Sequence, residues 1–126
     1  MSAILLVDDD VHVLDVITEM LKLEGHEVTT AADGREAEAQ FRSEPFDMVI
    51  TDIIMPEQEG LETISKLRDL SAHLPIIAIS GGGRNGPDGY LEMARQIGAN
   101  ASLAKPFELN DLVSTVSDLL GTAGVR

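Results

Sequence analysis

Four aspartates stand where short apolar runs end. Asp8, Asp9 and Asp10 follow the run AILLV, and Asp52 follows the run MVIT. Asp10 is explained as the N-cap of the helix that comes next, because its side chain can accept a hydrogen bond from a free amide of the first turn. Asp8, Asp9 and Asp52 have no such explanation. Carboxylates that lie close together repel one another unless a cation lies between them. We therefore predict a site for a hard divalent cation, and Mg²⁺, which retains water and phosphate oxygens as ligands, suits an open acidic site better than Ca²⁺.

A hydroxyl group and an ammonium group follow two further apolar runs. Ser80 comes directly after PIIAI, and Lys105 comes after a shorter run. Taken alone, a serine before glycines is a turn residue and a lysine before proline is a surface residue. Together with the carboxylates, however, they complete the set that phosphoryl transfer to an aspartate requires. That set is a nucleophile, a metal ion, a hydroxyl donor and a positive charge for the peripheral phosphoryl oxygens.

The apolar runs alternate with segments of helical periodicity, which predicts five βα units. Strands are expected at 3–7, 27–31, 47–51, 75–79 and 101–103. Right-handed crossovers then give an α/β fold with helices on both faces of a five-stranded parallel sheet, flavodoxin-like and doubly wound. In a sheet of order 2-1-3-4-5, strands one and three flank the switch point at the carboxyl ends of the strands. Asp8, Asp9 and Asp52 should therefore meet in one crevice, and Ser80 and Lys105, which also follow strands, should face it.

Composition narrows the class of protein. The 126 residues, 44% of them hydrophobic, suit one domain, which we place at 1–121 with a tail at 122–126. The chain has no cysteine and only three scattered histidines, which argues against disulfides and zinc sites. A net charge of −13 opposes nonspecific binding to nucleic acid or anionic membranes. No apolar run approaches the roughly 20 residues that span a bilayer, and no signal peptide is evident, so we expect a cytoplasmic protein.

The chain resembles the receiver domain of two-component response regulators over essentially its whole length. The resemblance rests on VDDD at 7–10, TDIIMP at 51–56 with Gly60 after it, AIS at 78–80 and KPF at 105–107. None of these motifs is specific alone, but the ordered set is. It implies a stand-alone signalling domain, not an enzyme in the usual sense, that assists its own phosphorylation and dephosphorylation.

The resemblance also implies a role for each site residue. Asp52 would be the phosphoacceptor, taking its phosphoryl group from a histidine kinase or a histidine phosphotransfer protein. The implied Mg²⁺ ligands are Asp9 and Asp52 directly, Asp8 through water, and the backbone carbonyl of Ile54. Ser80 and Lys105 would each contact a phosphoryl oxygen. A downstream protein would then dock near residues 81–107.

Two features depart from the family pattern. Ser102 stands where the family usually has an aromatic residue, so the usual movement of that ring cannot occur. The stretch GGGRNGPDGY at 81–90 is a few residues longer than is typical, and its five glycines predict a flexible loop beside the site. We expect phosphorylation to order this loop and the start of the next helix. A tolerated surface insertion is the alternative.

Two other functions remain open. A pseudo-receiver would bind partners without being phosphorylated, although the full set of acidic, serine and lysine residues argues against it. A phosphatase of the haloacid dehalogenase type would use Asp8 and Asp10 as its D-x-D pair, with Asp8 as the nucleophile. That family expects a small β-branched residue where this chain has His12, and its chains are usually longer.

Overall fold

A computed structural model describes residues 2–53, 59–80, 86–105 and 107–124, with the backbone alone for 59, 86–91 and 122–124. Strands and helices alternate along these residues. In chain order they are β1 Ala3–Val7, α1 Val11–Leu23, β2 Glu27–Ala31, α2 Gly34–Ser43, β3 Met48–Asp52, α3 Glu59–Leu70, β4 Ile76–Ser80, α4 Gly86–Ile97, β5 Ala101–Ala104 and α5 Leu109–Gly124. Among the helices described, none is both long enough and apolar enough to cross a bilayer.

The five strands form one parallel sheet in the order β2-β1-β3-β4-β5. This order confirms the predicted doubly wound fold. β1 pairs with both β2 and β3, and the last β1–β3 pair joins Val7 to Thr51. The residues that follow Val7 and Thr51 in the sequence, Asp8 and Asp52, therefore lie side by side at the carboxyl edge of the sheet.

Each face of the sheet carries its own apolar layer, because successive strand residues point to opposite faces. On one face, Leu5 and Val7 belong to a buried cluster completed by residues of α2, α3 and α4. On the other, Ile4 and Leu6 belong to a cluster completed by residues of α1 and α5. Both clusters hold the central strands rigidly, which fixes the positions at which the strands end.

Local sequence signals explain where α1 begins and ends. The Asp10 carboxylate accepts hydrogen bonds from the backbone amides of His12 (2.9 Å) and Val13 (3.4 Å), which confirms its predicted role as N-cap. After the C-cap residue Glu24, Gly25 adopts a φ of +91°, a left-handed conformation in which glycine has no steric penalty.

Several predicted boundaries differ from the structure. Strands β3 and β4 each lie one residue nearer the C-terminus than predicted, so Asp52 is the last residue of β3 and Ser80 is the last residue of β4. At the start of α2, Asp33 is the N-cap and accepts a hydrogen bond from the Glu36 amide at 2.8 Å. Helix α5 continues to Gly124, into the segment predicted as a tail.

The prediction of a loop at 81–90 is wrong for residues 86–90. Helix α4 begins at Gly86 and includes residues 86–90. The glycines there suggested a loop, but Pro87 falls in the first turn of the helix, where its missing amide hydrogen is not needed. Residues 81–85 lie outside the described part of the chain, as do Ile54 and the rest of 54–58.

Candidate functional site

Backbone hydrogen bonds fix the carboxylate of Asp8 at the end of β1. The Asp8 amide donates to the Ala31 carbonyl (3.1 Å), which extends the pairing of β1 with β2. The Asp8 Oδ1 atom accepts a hydrogen bond from the Asp10 amide at 2.9 Å. Asp8 is buried, whereas Asp9, the next residue, is exposed. The turn between β1 and α1 therefore directs one buried and one exposed carboxylate to the same edge of the sheet.

Asp52 is held by its strand and by the close approach of α3. It is buried at the end of β3, and the next amide, that of Ile53, donates to the Ile79 carbonyl at 2.9 Å. The backbone of Gly60 lies so close to this strand end that an added Cβ would clash with the Ile53 backbone and the Asp52 carbonyl oxygen. A glycine at position 60 is thus required for α3 to pack against the strand that carries Asp52.

Lys105 reaches both buried carboxylates from the end of β5. Its amide donates to the Ser80 carbonyl at 2.7 Å, which continues the pairing of β5 with β4. Its Nζ atom lies 3.0 Å from Asp8 Oδ2 and 3.3 Å from Asp52 Oδ2. The structure thus brings together three residues separated by most of the chain, as the order of strands predicted.

The two carboxylates keep the Lys105 side chain charged. Partial burial by itself would lower the pKa of Lys105, but attraction to Asp52 and the hydrogen bond and attraction to Asp8 outweigh it. The pKa of Lys105 is therefore raised above its ordinary value. The site contains a permanent positive charge at neutral pH, next to the carboxylate of Asp52.

Asp8, Asp9 and Asp52 could together hold a metal ion. Each offers a carboxylate oxygen, and the three oxygens lie within 4.8 Å of one another. An all-oxygen set with one exposed member fits a hard cation that retains water ligands, which is the coordination that Mg²⁺ prefers. The donor chemistry thus agrees with the predicted cation, while the predicted carbonyl ligand, Ile54, lies outside the described residues.

Ser80 and Ser102 lie on the two neighbouring strands. Ser80 is completely buried at the end of β4, the strand next to the one that carries Asp52. Ser102 is half-buried on β5, where it pairs with Ala78. Ser80 therefore occupies the predicted edge of the sheet. Ser102 stands where the family usually has an aromatic residue. It lies two residue pairs before the last pair of β4 with β5, which joins Ser80 to Ala104.

Beside the site, an open apolar groove of about 520 Å³ runs between α1 and the start of α5. Its lining residues are His12, Val13, Val16, Ile17, Lys105, Phe107 and Leu109. The sequence does not reveal this groove, because Val16 and Leu109 follow the spacing of apolar residues that is typical of the buried face of a helix. Val16 is 52% exposed and Leu109 is 41% exposed. The sequence signal that could have indicated an exposed apolar surface is the pair Val11 and Val16. Both lie on α1 but outside its buried face, which is formed by Leu14, Ile17 and Leu21.

Fold and site together define a doubly wound α/β domain with an acidic cation site and a lysine at the carboxyl edge of its sheet. The sequence profile of the response regulator receiver domain matches residues 4–117. The chain belongs to this family, the receiver domains of two-component response regulators.

Curated relatives are longer proteins. The chain is 33% identical over 120 residues to the transcriptional regulatory protein CpxR homolog of Haemophilus influenzae, covering 95% of this chain and 51% of that protein. It is 36% identical over 121 residues to the transcriptional regulatory protein PrrA of Mycobacterium tuberculosis, covering 96% of this chain and 51% of that protein. The chain thus spans about half the length of these relatives.

Solved structures of receiver domains match almost the whole chain. A response regulator receiver domain protein from Clostridium thermocellum gives a TM-score of 0.89 at 27% identity, covering 98% of both chains. A CheY-like receiver domain protein from Methanospirillum hungatei JF-1 gives a TM-score of 0.88 at 30% identity, covering 97% of this chain and 95% of that one.

Proposed function

We propose that the domain accepts a phosphoryl group on Asp52 from a histidine kinase or a histidine phosphotransfer protein, in a Mg²⁺-dependent reaction in the cytoplasm. One observation carries this proposal. The Lys105 ammonium group contacts both Asp8 and Asp52, while Asp8, Asp9 and Asp52 present oxygens within 4.8 Å of one another. A nucleophile, a fixed positive charge and a set of metal ligands thus occupy one edge of the sheet.

In the proposed reaction an oxygen of Asp52 attacks the phosphorus of a phosphohistidine. The P–N bond breaks, its electron pair remains on the imidazole nitrogen, and an acyl phosphate forms on Asp52. Bound Mg²⁺ would neutralise charge on the peripheral oxygens, and Asp8, Asp9 and Asp52 are the residues that would hold it. Lys105 supplies a second positive charge at Asp52, so the developing charge is stabilised without rearrangement of the chain.

Before phosphorylation, Lys105 also has a structural role. Asp8 and Asp52 are both buried and both negative, and a buried charge without a partner is strongly unfavourable. The ammonium group lies between them and offsets their repulsion. We infer that Lys105 leaves Asp8 when the phosphoryl group arrives, because the new oxygens provide a more strongly charged partner.

The signal would leave the site through Ser80. A phosphoryl oxygen on Asp52 would accept a hydrogen bond from the Ser80 hydroxyl and draw the end of β4 inward. This movement would be passed to the residues after Ser80 and to the start of α4, and from there to a downstream protein that docks near 81–107. Because Ser102 provides no ring to change position, this route would carry the signal without the aromatic residue usual in the family.

A protein donor could bind beside Asp52. The apolar groove between α1 and α5 is lined in part by Lys105, which also contacts Asp52. A groove of exposed apolar side chains next to a reactive group favours a protein partner, because the removal of contiguous apolar surface from water stabilises the complex.

The geometry disfavours the phosphatase alternative. In a D-x-D mechanism the Asp10 carboxyl would have to be free to act on the substrate. Here its Oδ1 atom accepts hydrogen bonds from the amides of His12 and Val13 and so holds the first turn of α1.

Incubation with acetyl phosphate and Mg²⁺ tests the proposal against both alternatives. Stable, stoichiometric phosphorylation that EDTA abolishes is the expected result. A protein that takes up no phosphoryl group would be a binding module, and continuous release of phosphate would identify a phosphatase. Lys66→Met, which removes an exposed lysine on α3, is the control and should be phosphorylated like the wild type.

A further inference from the structure

Lys105 reaches the site from the end of a short strand at the edge of the sheet. β5 has four residues and pairs with β4 alone, whereas β4 also pairs with β3. Three of the four side chains of β5 are small, those of Ala101, Ser102 and Ala104. Small side chains specify the register of a strand weakly, because a shifted strand fits the same surface almost as well. The register of β5 therefore needs support from outside the strand.

An error in this register would remove Lys105 from the site. A slip of one residue turns every side chain of β5 to the opposite face of the sheet, and a slip of two residues displaces the end of the strand by about 7 Å. The Nζ atom of Lys105 lies 3.0 Å from Asp8 Oδ2 and 3.3 Å from Asp52 Oδ2. A displacement of this size would separate the ammonium group from both carboxylates. The position of Lys105 thus depends on the point at which β5 starts.

Asn100, the residue before β5, fixes that point with two hydrogen bonds to one residue of β4. Its amide donates to the Ile76 carbonyl at 2.8 Å, and its Oδ1 atom accepts a hydrogen bond from the Ile76 amide at 2.9 Å. Ile76 is completely buried and is the first residue of β4. The backbone bond could form again after a slip, but the side-chain bond requires an acceptor such as that of asparagine at this position. The Asn100 side chain therefore selects one register of β5 against β4.

Arg68, in the last turn of α3, holds the Asn100 side chain in place. Its Nη2 atom donates to Asn100 Oδ1 (3.0 Å) and to the Gly98 carbonyl (2.6 Å). Its Nη1 atom donates to the carbonyls of Ser71 (3.1 Å) and Ala72 (3.0 Å), just beyond the end of α3. Hydrogen bonds from a charged donor are roughly twice as strong as those between neutral groups. The guanidinium group therefore fixes the orientation of the Asn100 side chain relative to α3.

Gly98 allows the arginine to come this close. Its φ is +142°, a conformation that residues with a side chain rarely adopt. A Cβ at this position would lie 3.0 Å from Nε and 3.2 Å from Cγ of Arg68. The amides of Gly98 and Ala99 both donate to the Ala94 carbonyl (3.0 and 2.9 Å). The two residues before Asn100 thus follow a path that the end of α4 and Arg68 define together.

We propose that Arg68 and Asn100 are positioning residues that fix the register of β5 and thereby place Lys105 in the phosphorylation site. The inference rests on the proposed function, in which Lys105 stabilises the charge that develops at Asp52. Arg68 and Asn100 lie at the opposite end of β5 from Lys105 and act on it through the strand. A misplacement of about 1 Å near the reacting atoms can lower a rate by about 100-fold, so the start of β5 affects the reaction at its end.

A set of variants separates this role from general support of the fold. Asn100→Ala removes the side-chain acceptor, whereas Asn100→Asp is the conservative replacement that retains an acceptor oxygen. Arg68→Met retains the stem of the side chain and removes its donors. Asn110→Ala is the matched control, because Asn110 is an exposed asparagine on α5. Each substitution is made in the wild type and in Lys105→Met, and all rates are measured at a temperature at which every variant is folded.

The first measurement is the rate of phosphorylation by acetyl phosphate at saturating Mg²⁺. Asn100→Ala and Arg68→Met should each lower this rate by about tenfold, whereas Asn100→Asp and Asn110→Ala should match the wild type. In the Lys105→Met background the same substitutions should have no further effect, because the group that they position is absent. A merely structural role would lower the rate by the same factor in both backgrounds.

The second measurement is the melting temperature in EDTA, which does not depend on phosphorylation. Lys105→Met should lower it clearly less in the Asn100→Ala background than in the wild type, because Lys105 no longer reaches the two carboxylates in every molecule. Substitutions as far apart as the two ends of β5 otherwise have additive effects. Additive losses would therefore contradict the proposed role of Asn100.

Two results of the first measurement would overturn the inference alone: phosphorylation of Asn100→Ala at the wild-type rate, or an equal effect of this substitution with and without Lys105. If Asn100→Ala does not fold, Arg68→Met, which leaves the asparagine in place, provides both comparisons. If the wild type is not phosphorylated at all, the proposed function fails. The melting temperatures then decide the inference, since non-additive losses support the positioning of Lys105 through β5 and additive losses refute it.

Discussion

Replacing Lys105 with methionine removes the only cation that the described structure places between Asp8 and Asp52. Methionine is similar in length, so the main change is the loss of the ammonium group that lies 3.0 Å from one carboxylate and 3.3 Å from the other. The variant therefore leaves two buried negative charges facing each other. Without metal, we expect the folded state to be clearly less stable.

The size of the effect follows from burial. The side chains of Asp8 and Asp52 are 2% and 7% exposed, and that of Lys105 is 23% exposed. Removing one partner of a buried ion pair typically costs about 3–5 kcal/mol. Because Lys105 is partly hydrated, water can reach the vacated position, and we expect a loss of about 3 kcal/mol, at the low end of that range. For a domain of this size, that corresponds to a fall of about 10 °C in the melting temperature.

Urea denaturation in EDTA measures the loss directly. The control is Lys66→Met, since Lys66 is 60% exposed and lies 3.8 Å from Glu38 in a surface ion pair. Such pairs contribute about 0–1 kcal/mol, so the control should unfold almost like the wild type. Added Mg²⁺ should recover part of the stability lost in Lys105→Met, by about 1.4 kcal/mol at ten times its Kd. A Lys105→Met variant as stable as the control in EDTA would refute the argument that Lys105 neutralises the buried carboxylates.

Three further predictions concern the same edge of the sheet. Asp9→Ala should melt higher than the wild type without metal, because one crowded carboxylate is gone, but its melting temperature should no longer rise with Mg²⁺; an undiminished rise would contradict Asp9 as a ligand. Gly60→Ala should lose about 2–3 kcal/mol in denaturant unfolding, since its Cβ would clash with backbone at Ile53 and Asp52, and wild-type stability would show that α3 can move away. The pKa of Lys105 is raised in the folded state. The charged side chain therefore contributes fully to folding stability below the ordinary lysine pKa of 10.5, and this contribution is lost as the pH rises through the pKa of the folded state. The stability difference between wild type and Lys105→Met should therefore be constant from neutral pH to about 10 and then shrink, and a difference that shrinks well below pH 10 would contradict the raised pKa.

The sequence predicts the fold because its strands are short apolar runs buried on both faces, a pattern that is hard to form in any other architecture. It predicts that Asp8, Asp52 and Lys105 meet, because parallel strands bring their carboxyl ends to one edge. It does not predict that Lys105 bonds to both carboxylates, since that depends on the length and direction of one flexible side chain.

Other errors arise where tertiary contacts override local signals. Five glycines at 81–90 indicate a loop, yet helix α4 begins at Gly86, because its packing against β4 and β5 outweighs the low helical propensity of glycine. The apolar spacing of α1 does not distinguish Ile17, which is buried, from Val16, which is half exposed in the groove. The hydrogen bond from Arg68 to the side chain of Asn100 joins residues 32 positions apart, and no local pattern in the sequence indicates it.

In the proposed reaction, Asp52 carries the phosphoryl group. Mass spectrometry of the protein after incubation with acetyl phosphate and Mg²⁺ tests it most directly, with borohydride reduction of the acyl phosphate to mark the modified residue. We expect one phosphoryl group per chain, labile in acid, a reduced residue at Asp52, and no label in Asp52→Asn. Label that survives acid, or that persists in Asp52→Asn at the wild-type level, would contradict it.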